Sequence, residues 1–245
     1  MRGLARVLVL TALAVASAAA AGSAVEEAAR LLATYHEDPA RLDRARELLE
    51  TVLTRERRVE TMILLARVYF QVGDVRAAST DEKLAAFDRG RELAKRAVEL
   101  APRSEDAHFW YMANTGRWGQ TKGVIRSLFL LPTIREEIDT VLALNPRSAR
   151  AHTAAANVLF ELPRLAGGDR AKAEEHWKKA LALEPHYTAP KVDYARYLID
   201  AGRFVDARRE LQAVLDETSP TVPSDWTVKD VPRAKKLLES IRDRK

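Results

Sequence analysis

Five histidines, His36, His108, His152, His176 and His186, are the side chains best suited to acid–base or metal chemistry. None stands in an H-E-x-x-H pair, which would set two imidazoles and a general base on one helical face. His108 and His152 fall at corresponding places in two repeated segments, beside core positions. No carboxylate at a suitable spacing turns them into a metal site. The chain has no cysteine, which removes thiolate nucleophiles, thiolate zinc sites and disulfides. Gly167-Gly168-Asp169 is a turn signal and not a phosphate loop, and no G-x-S-x-G nucleophile elbow occurs. With no triad, metal set or cofactor loop, the sequence reads as a non-enzymatic binding protein that needs no cofactor.

Two groups of residues are better suited to binding than to catalysis. Trp110, Asn114 and Arg117 are spaced i, i+4, i+7, which places an indole, an amide and a guanidinium on one helix face. An amide offers a donor and an acceptor to a peptide group, and a guanidinium forks onto a carboxylate. The second group is the apolar run from Val124 to Leu131, with Val124, Leu128, Phe129 and Leu131. It is apolar on nearly all sides for so short a segment. It is therefore expected either to form a short third helix that plugs the fold, or to offer a hydrophobic surface to a partner or to a second copy.

Helices must position these residues. Apolar residues make up 47% of the chain and charged residues 31%, a balance that suits a folded protein and not a disordered one. Ala, Leu, Arg and Glu, all good helix formers, are abundant. The net charge is +5, two of these charges being Arg2 and Arg6, and no basic stripe with interleaved aromatics exists, so nucleic acid is not an expected partner. Arg2 and Arg6, the apolar run Val7 to Val15 and the small residues Ala16 to Ala24 read as an export signal over residues 1–22, the alternative being an uncleaved anchor. The expected location is the periplasm, or the outside of the cell, and residues 23–245 form the mature domain.

Three segments resemble one another: Arg96 to Pro102, Thr140 to Pro146 and Lys179 to Pro185, each an apolar-patterned helix end closed by proline. The last full unit is the cleanest. Val192, Ala195, Leu198 and Ile199 mark a first helix, Gly202 a turn, and Ala207, Leu211 and Val214 one face of a second helix. These residues resemble the tetratricopeptide repeat, a helical hairpin with small residues where helices touch and a terminal proline. The resemblance implies an all-α superhelical solenoid of four to five hairpins, because one hairpin cannot bury its own apolar face. A last helix over residues 230–243, with Val231, Ala234, Leu237, Leu238 and Ile241 on one side, is expected to cap it. Aligning Ala66, Ala113, Ala156 and Ala195 puts Arg67, Asn114, Asn157 and Arg196 in one row. In a tetratricopeptide solenoid such a row, with Trp110 and Arg117 beside it, lines the concave groove.

The repeats are irregular. The spans between Pro102, Pro146 and Pro185 exceed the usual period by about ten and about five residues. The run Trp110 to Trp118, the Lys122-Gly123 turn, the Leu128 to Pro132 insert and Leu165-Ala166-Gly167-Gly168-Asp169 resemble the T component associated with TRAP (tripartite ATP-independent periplasmic) transporters. That resemblance spans roughly Glu60 to Lys245. It implies a periplasmic adaptor that docks the solute-binding P component and assists ligand transfer. Members of that family can be lipoproteins, and this chain has no cysteine to carry the lipid. The alternative is a general envelope scaffold that grips extended peptides.

Overall fold

A computed structural model describes residues 21–244. The expected export signal falls outside these residues except at its last two positions. Five antiparallel helical hairpins follow one another. They are α1 (21–33) with α2 (Arg41–Arg55), α3 (Val59–Gln71) with α4 (Thr80–Leu100), α5 (Glu105–Lys122) with α6 (Val124–Leu144), α7 (Ala149–Glu161) with α8 (Arg170–Leu183), and α9 (Thr188–Asp200) with α10 (Phe204–Leu215). A terminal segment then runs from α11 (Pro223–Asp225) through a wide π-turn (Trp226–Asp230) into α12 (Val231–Ser240). The described residues contain no strand.

Local chemistry sets the helix ends. Ser79 and Glu82 make a reciprocal capping box at the start of α4, and Ser104 and Asp169 cap α5 and α8 with side-chain oxygens. Pro102, Pro146 and Pro185 each lie two residues beyond a helix end, as the sequence pattern requires. Gly202, at φ 73°, closes α9 in the left-handed region that only glycine enters without strain.

Packing follows the small-residue pattern. Ala66, Ala156 and Ala195 are fully buried where first helices meet their neighbours, and Trp177 fills the gap between the last two hairpins. Ala113 does not take the matching place. His108 and His152 each contact the carbonyl oxygen of the proline six residues before, Pro102 and Pro146. Counted from these two bonds, Met112 stands where Ala156 stands, and Ala113 where Asn157 stands. A methionine fills the slot a small residue fills elsewhere, which shifts the α5 alignment by one residue.

The terminal segment departs from the expected simple cap. Ala234 and Ile241 are buried in the core of the last hairpin, and the Trp226 indole N–H donates to the Val214 carbonyl at 2.8 Å, so α12 does close that end. Residues before α12, however, reach the first two hairpins. The Ser224 hydroxyl donates to the Ala33 carbonyl at 2.6 Å and lies 2.8 Å from His36 Nδ1. Tyr35 and Gln71 both donate to Asp225, and Lys229 binds Gln71 and, at 3.1 Å, Asp74. Val228 packs with the apolar core of α1 to α4. The two ends of the solenoid are thus tied together.

Candidate functional site

The lengthened α5–α6 hairpin builds a concave apolar pocket of about 270 Å³. Phe70 of α3 forms one side, Phe109, Met112, Ala113 and Gly116 of α5 the floor, Leu128, Leu131 and Ile134 of α6 a wall, and Ala154 and Val158 of α7 the opposite wall. Gly116 keeps this space open. A Cβ there would meet only Ile134 Cδ1, at 3.9 Å. The polar groups at the pocket are Arg117, Gln120, Ser127, Asn157 and Glu161.

These polar groups are held from behind. Arg117 Nε donates to Asp74 Oδ1 at 2.8 Å, and Asp74 is also bound by Lys229 of the terminal segment. Asn157 Nδ2 donates to Asp193 Oδ2 at 2.9 Å, and Asp193 also takes Arg233 at 2.5 Å. Asp230 next to it is 2% exposed. Burial pushes its carboxyl up to about 6, against the opposing pull of the Thr188 hydroxyl and Arg233. Arg117 and Asn157 at the pocket rim are therefore tied to the terminal segment through Asp74 and Asp193.

The residues of the expected row separate into different surroundings. Arg117 and Asn157 line the pocket, together with Leu128 and Leu131 of the apolar run. Arg196 pairs with Glu161 at the pocket edge, its guanidinium 5.1 Å over Phe160. Arg67 stacks over Trp110 at 5.7 Å, and both line a separate, more polar cleft with Asp106 and Arg150. Asn114 does not face the groove. It is fully buried, with Nδ2 donating to the Ala66 and Trp110 carbonyls, and Gly90 opposite has no room for a Cβ. The one-residue shift in α5 explains this: the row position there is Ala113. Among the described residues, Arg67 Nε, Asn114 Oδ1, Asn157 Oδ1 and Arg196 Nε are buried with no hydrogen-bond partner, as are Arg46 Nε, Thr115 Oγ1 and Trp177 Nε1 elsewhere.

The apolar run is not a separate plug. It is the first half of α6, which continues unbroken through Pro132. The proline removes one helical donor, and the carbonyl it leaves, at Leu128, belongs to an exposed turn that water can reach. Leu128 and Leu131 turn toward the pocket, while Val124 and Phe129 are 78% and 74% exposed.

The histidines make structural pairs. His108 Nδ1 lies 2.5 Å from Glu137 Oε2, and His152 Nδ1 lies 2.9 Å from His176 Nδ1, so the second helix of each hairpin supplies the partner. Burial lowers the affinity of His152 and His176 for a proton. Among the described residues no group of three or more His, Asp or Glu side chains could hold a metal ion. Sequence reasoning missed Met112, Gly116 and Ile134 as site residues. The only available signal was Gly116 inside an otherwise strong helix.

Hairpins stacked around a concave apolar pocket define a tetratricopeptide-type repeat protein, and a tetratricopeptide-repeat family model matches residues 164–221. The family model for regulator of microtubule dynamics proteins 1-3 matches residues 24–165, more than half of the chain, and the chain belongs to that family. Regulator of microtubule dynamics protein 3 of Bos taurus is 26% identical over 105 residues, which cover 43% of this chain and 22% of the cattle protein. The chain therefore matches well under half the length of that relative. A thermophilic TPR protein of Thermus thermophilus has a similar solved structure, with TM-score 0.68, 21% identity, and 91% of this chain and 100% of that one covered. A crystal structure of MamA matches with TM-score 0.47 and 17% identity, over 76% of this chain and 94% of its own.

Proposed function

We propose that this protein is a non-enzymatic scaffold, working on the exported side of the membrane, that holds an apolar segment of a partner protein in the pocket between α5, α6 and α7. The pocket carries this reading. Its volume of about 270 Å³ lies near the lower limit for a small-molecule site, and its walls are almost wholly apolar. Such a space suits a few side chains of a partner helix or strand, with Arg117 and Gln120 at the edge to fix orientation.

The narrower reading is a TRAP-associated adaptor that docks the solute-binding P component. It is supported by how the resembling segments meet. Arg135 of α6 donates to the carbonyls of Ala166 and Gly167 at 2.9 and 3.1 Å, joining the α6 insert to the Leu165–Asp169 turn. The family model spans α3, α5, α6 and α7, which make the pocket, and its name points to microtubules as another partner to test.

G116L is the variant of choice. It fills the pocket, and leucine favours helix over glycine by up to about 1 kcal/mol, so the fold is kept. Immobilised wild-type protein is passed over an exported-protein extract, and separately over assembled microtubules, with G116L beside it. Capture of one solute-binding protein that is lost in G116L supports the transporter adaptor. Several partners lost together support the general scaffold. Equal capture by wild type and G116L overturns the pocket as the docking site.

A further inference from the structure

The α5–α6 hairpin, which follows an α4 as long as α6, is longer than the two hairpins after it. Its helices have 18 and 21 residues, against 13 and 14 in α7–α8 and 13 and 12 in α9–α10. At its free end Val124, Ile125, Leu128, Phe129 and Pro132 recur at i, i+1, i+4, i+5, i+8 and so share one face of α6. Leu128 on this face also lines the pocket, so the stripe adjoins the pocket wall. Val124, Ile125 and Phe129 are 78%, 76% and 74% exposed.

Cations flank this stripe. Lys122 Nζ and the Arg126 guanidinium lie 5.6 and 5.7 Å from the Trp118 ring, and Arg91 lies 4.7 Å from it. Among the described residues neither Lys122 nor Arg126 is in an ion pair, whereas Arg91 pairs with Asp88. No acidic residue occurs between Asp106 and Glu136. Two copies meeting through this end would bring unpaired cations together with nothing to neutralise them. A partner helix would need a groove, and a hairpin tip offers a convex end. A bilayer surface matches all of these features: apolar side chains enter the acyl boundary, Trp118 sits at headgroup depth, and Lys122 and Arg126 meet anionic headgroups.

We propose that the tip of α5–α6 is a membrane-docking surface that inserts Val124, Ile125 and Phe129 into an anionic lipid bilayer. This goes beyond the scaffold reading and uses Val124, Ile125 and Phe129, none of which lines the pocket, so either can fail alone. Among the described residues no helix is long and apolar enough to span a membrane, and the contact is peripheral.

The absence of cysteine allows a site-specific test on the full chain. I125C and, as a control, V205C are labelled with a polarity-sensitive fluorophore and mixed with phosphatidylglycerol–phosphatidylcholine vesicles or with phosphatidylcholine alone. Val205 is also exposed, at 72%, but lies on α10. Because the label reports its own position, vesicle attachment through the apolar N-terminal run cannot imitate the result. The expected result is a blue shift at 125 on anionic vesicles, none at 205, and at least a tenfold rise in the lipid needed when K122E/R126E is added. F129E, on the surface and harmless to the fold, gives a similar loss. No shift at 125, an equal shift at 205, insensitivity to K122E/R126E, or a concentration-dependent shift without lipid would each overturn the proposal.

Discussion

The hairpins α9–α10 and α5–α6 follow one plan with different results. In α9–α10, Val192, Leu198, Leu211 and Val214 are fully buried, and with Trp177 and Tyr194 they form the largest core of the molecule. In α5–α6, the core cluster beside the pocket is Met112, Ile134, Ile138 and the neighbouring Ala155, with Ala107 and Val141 buried further from the tip, while three large apolar residues at the tip stand about three-quarters exposed. A hairpin of standard length has just enough apolar surface to bury against its neighbours. A lengthened one has a surplus, and here the surplus forms a pocket wall at Leu128 and Leu131 and a bare stripe beside it. Stability is concentrated in the regular hairpin and binding capacity in the irregular one.

The largest expected effect breaks the stable side of this contrast. W177A empties a fully buried site at the meeting of α7, α8 and α9 and should cost about 3–5 kcal/mol in urea unfolding. A loss below about 1 kcal/mol would show that the aromatic cluster is not what holds the regular half.

G90A comes next. Its Cβ would lie 2.3 Å from Asn114 Oδ1 in a fully buried contact between α4 and α5. It should cost about 2–3 kcal/mol by overpacking. G90A/N114A should lose less than the sum of the single variants, and strict additivity in the cycle would deny the contact.

Asp230 gives a pH-dependent test of the terminal segment. Its folded carboxyl keeps its proton up to about pH 6, whereas an unfolded aspartate releases it near pH 4. Between these values the folded state carries more protons, so this group's share of stability falls as pH rises from 4 to 6. D230N should therefore stabilise the fold at pH 8, by about 2 kcal/mol, and leave it unchanged at pH 4. His152 and His176 act in the opposite sense. Their folded pKa values are lowered, so their share is present above the unfolded value of about 6.5 and is lost as pH falls through it toward the folded value. Thermal melts of wild type and D230N from pH 4 to 8 separate the two.

G116L has the smallest expected effect on stability, at most about 1 kcal/mol and in the stabilising direction. It sharpens the contrast because it should abolish partner capture while the protein becomes no less stable.

Much of the fold could be read from the sequence. The prolines after α4, α6 and α8, the Gly202 turn and the buried alanines have local causes, and local causes leave a pattern. The bridge from Ser224, Asp225 and Lys229 to Tyr35, Gln71 and Asp74 left none, because it joins residues more than 150 positions apart through single polar contacts. The site was half legible. Arg117, Asn157, Leu128 and Leu131 do meet at one pocket, but Asn114 was placed on the surface because Met112 occupies a slot that other repeats fill with alanine. A size exchange of that kind is compensated in three dimensions by Gly90, which only the packed structure brings next to Asn114.

The central claim is that partners bind at the irregular hairpin and not at the regular one. The most direct measurement is amide hydrogen exchange on the protein alone and on its complex with the captured partner. Binding in the pocket predicts added protection in α5, in the first half of α6 and in α7, with α10 unchanged. Protection confined to α9 and α10, with α5 and α6 exchanging as in the free protein, would contradict it.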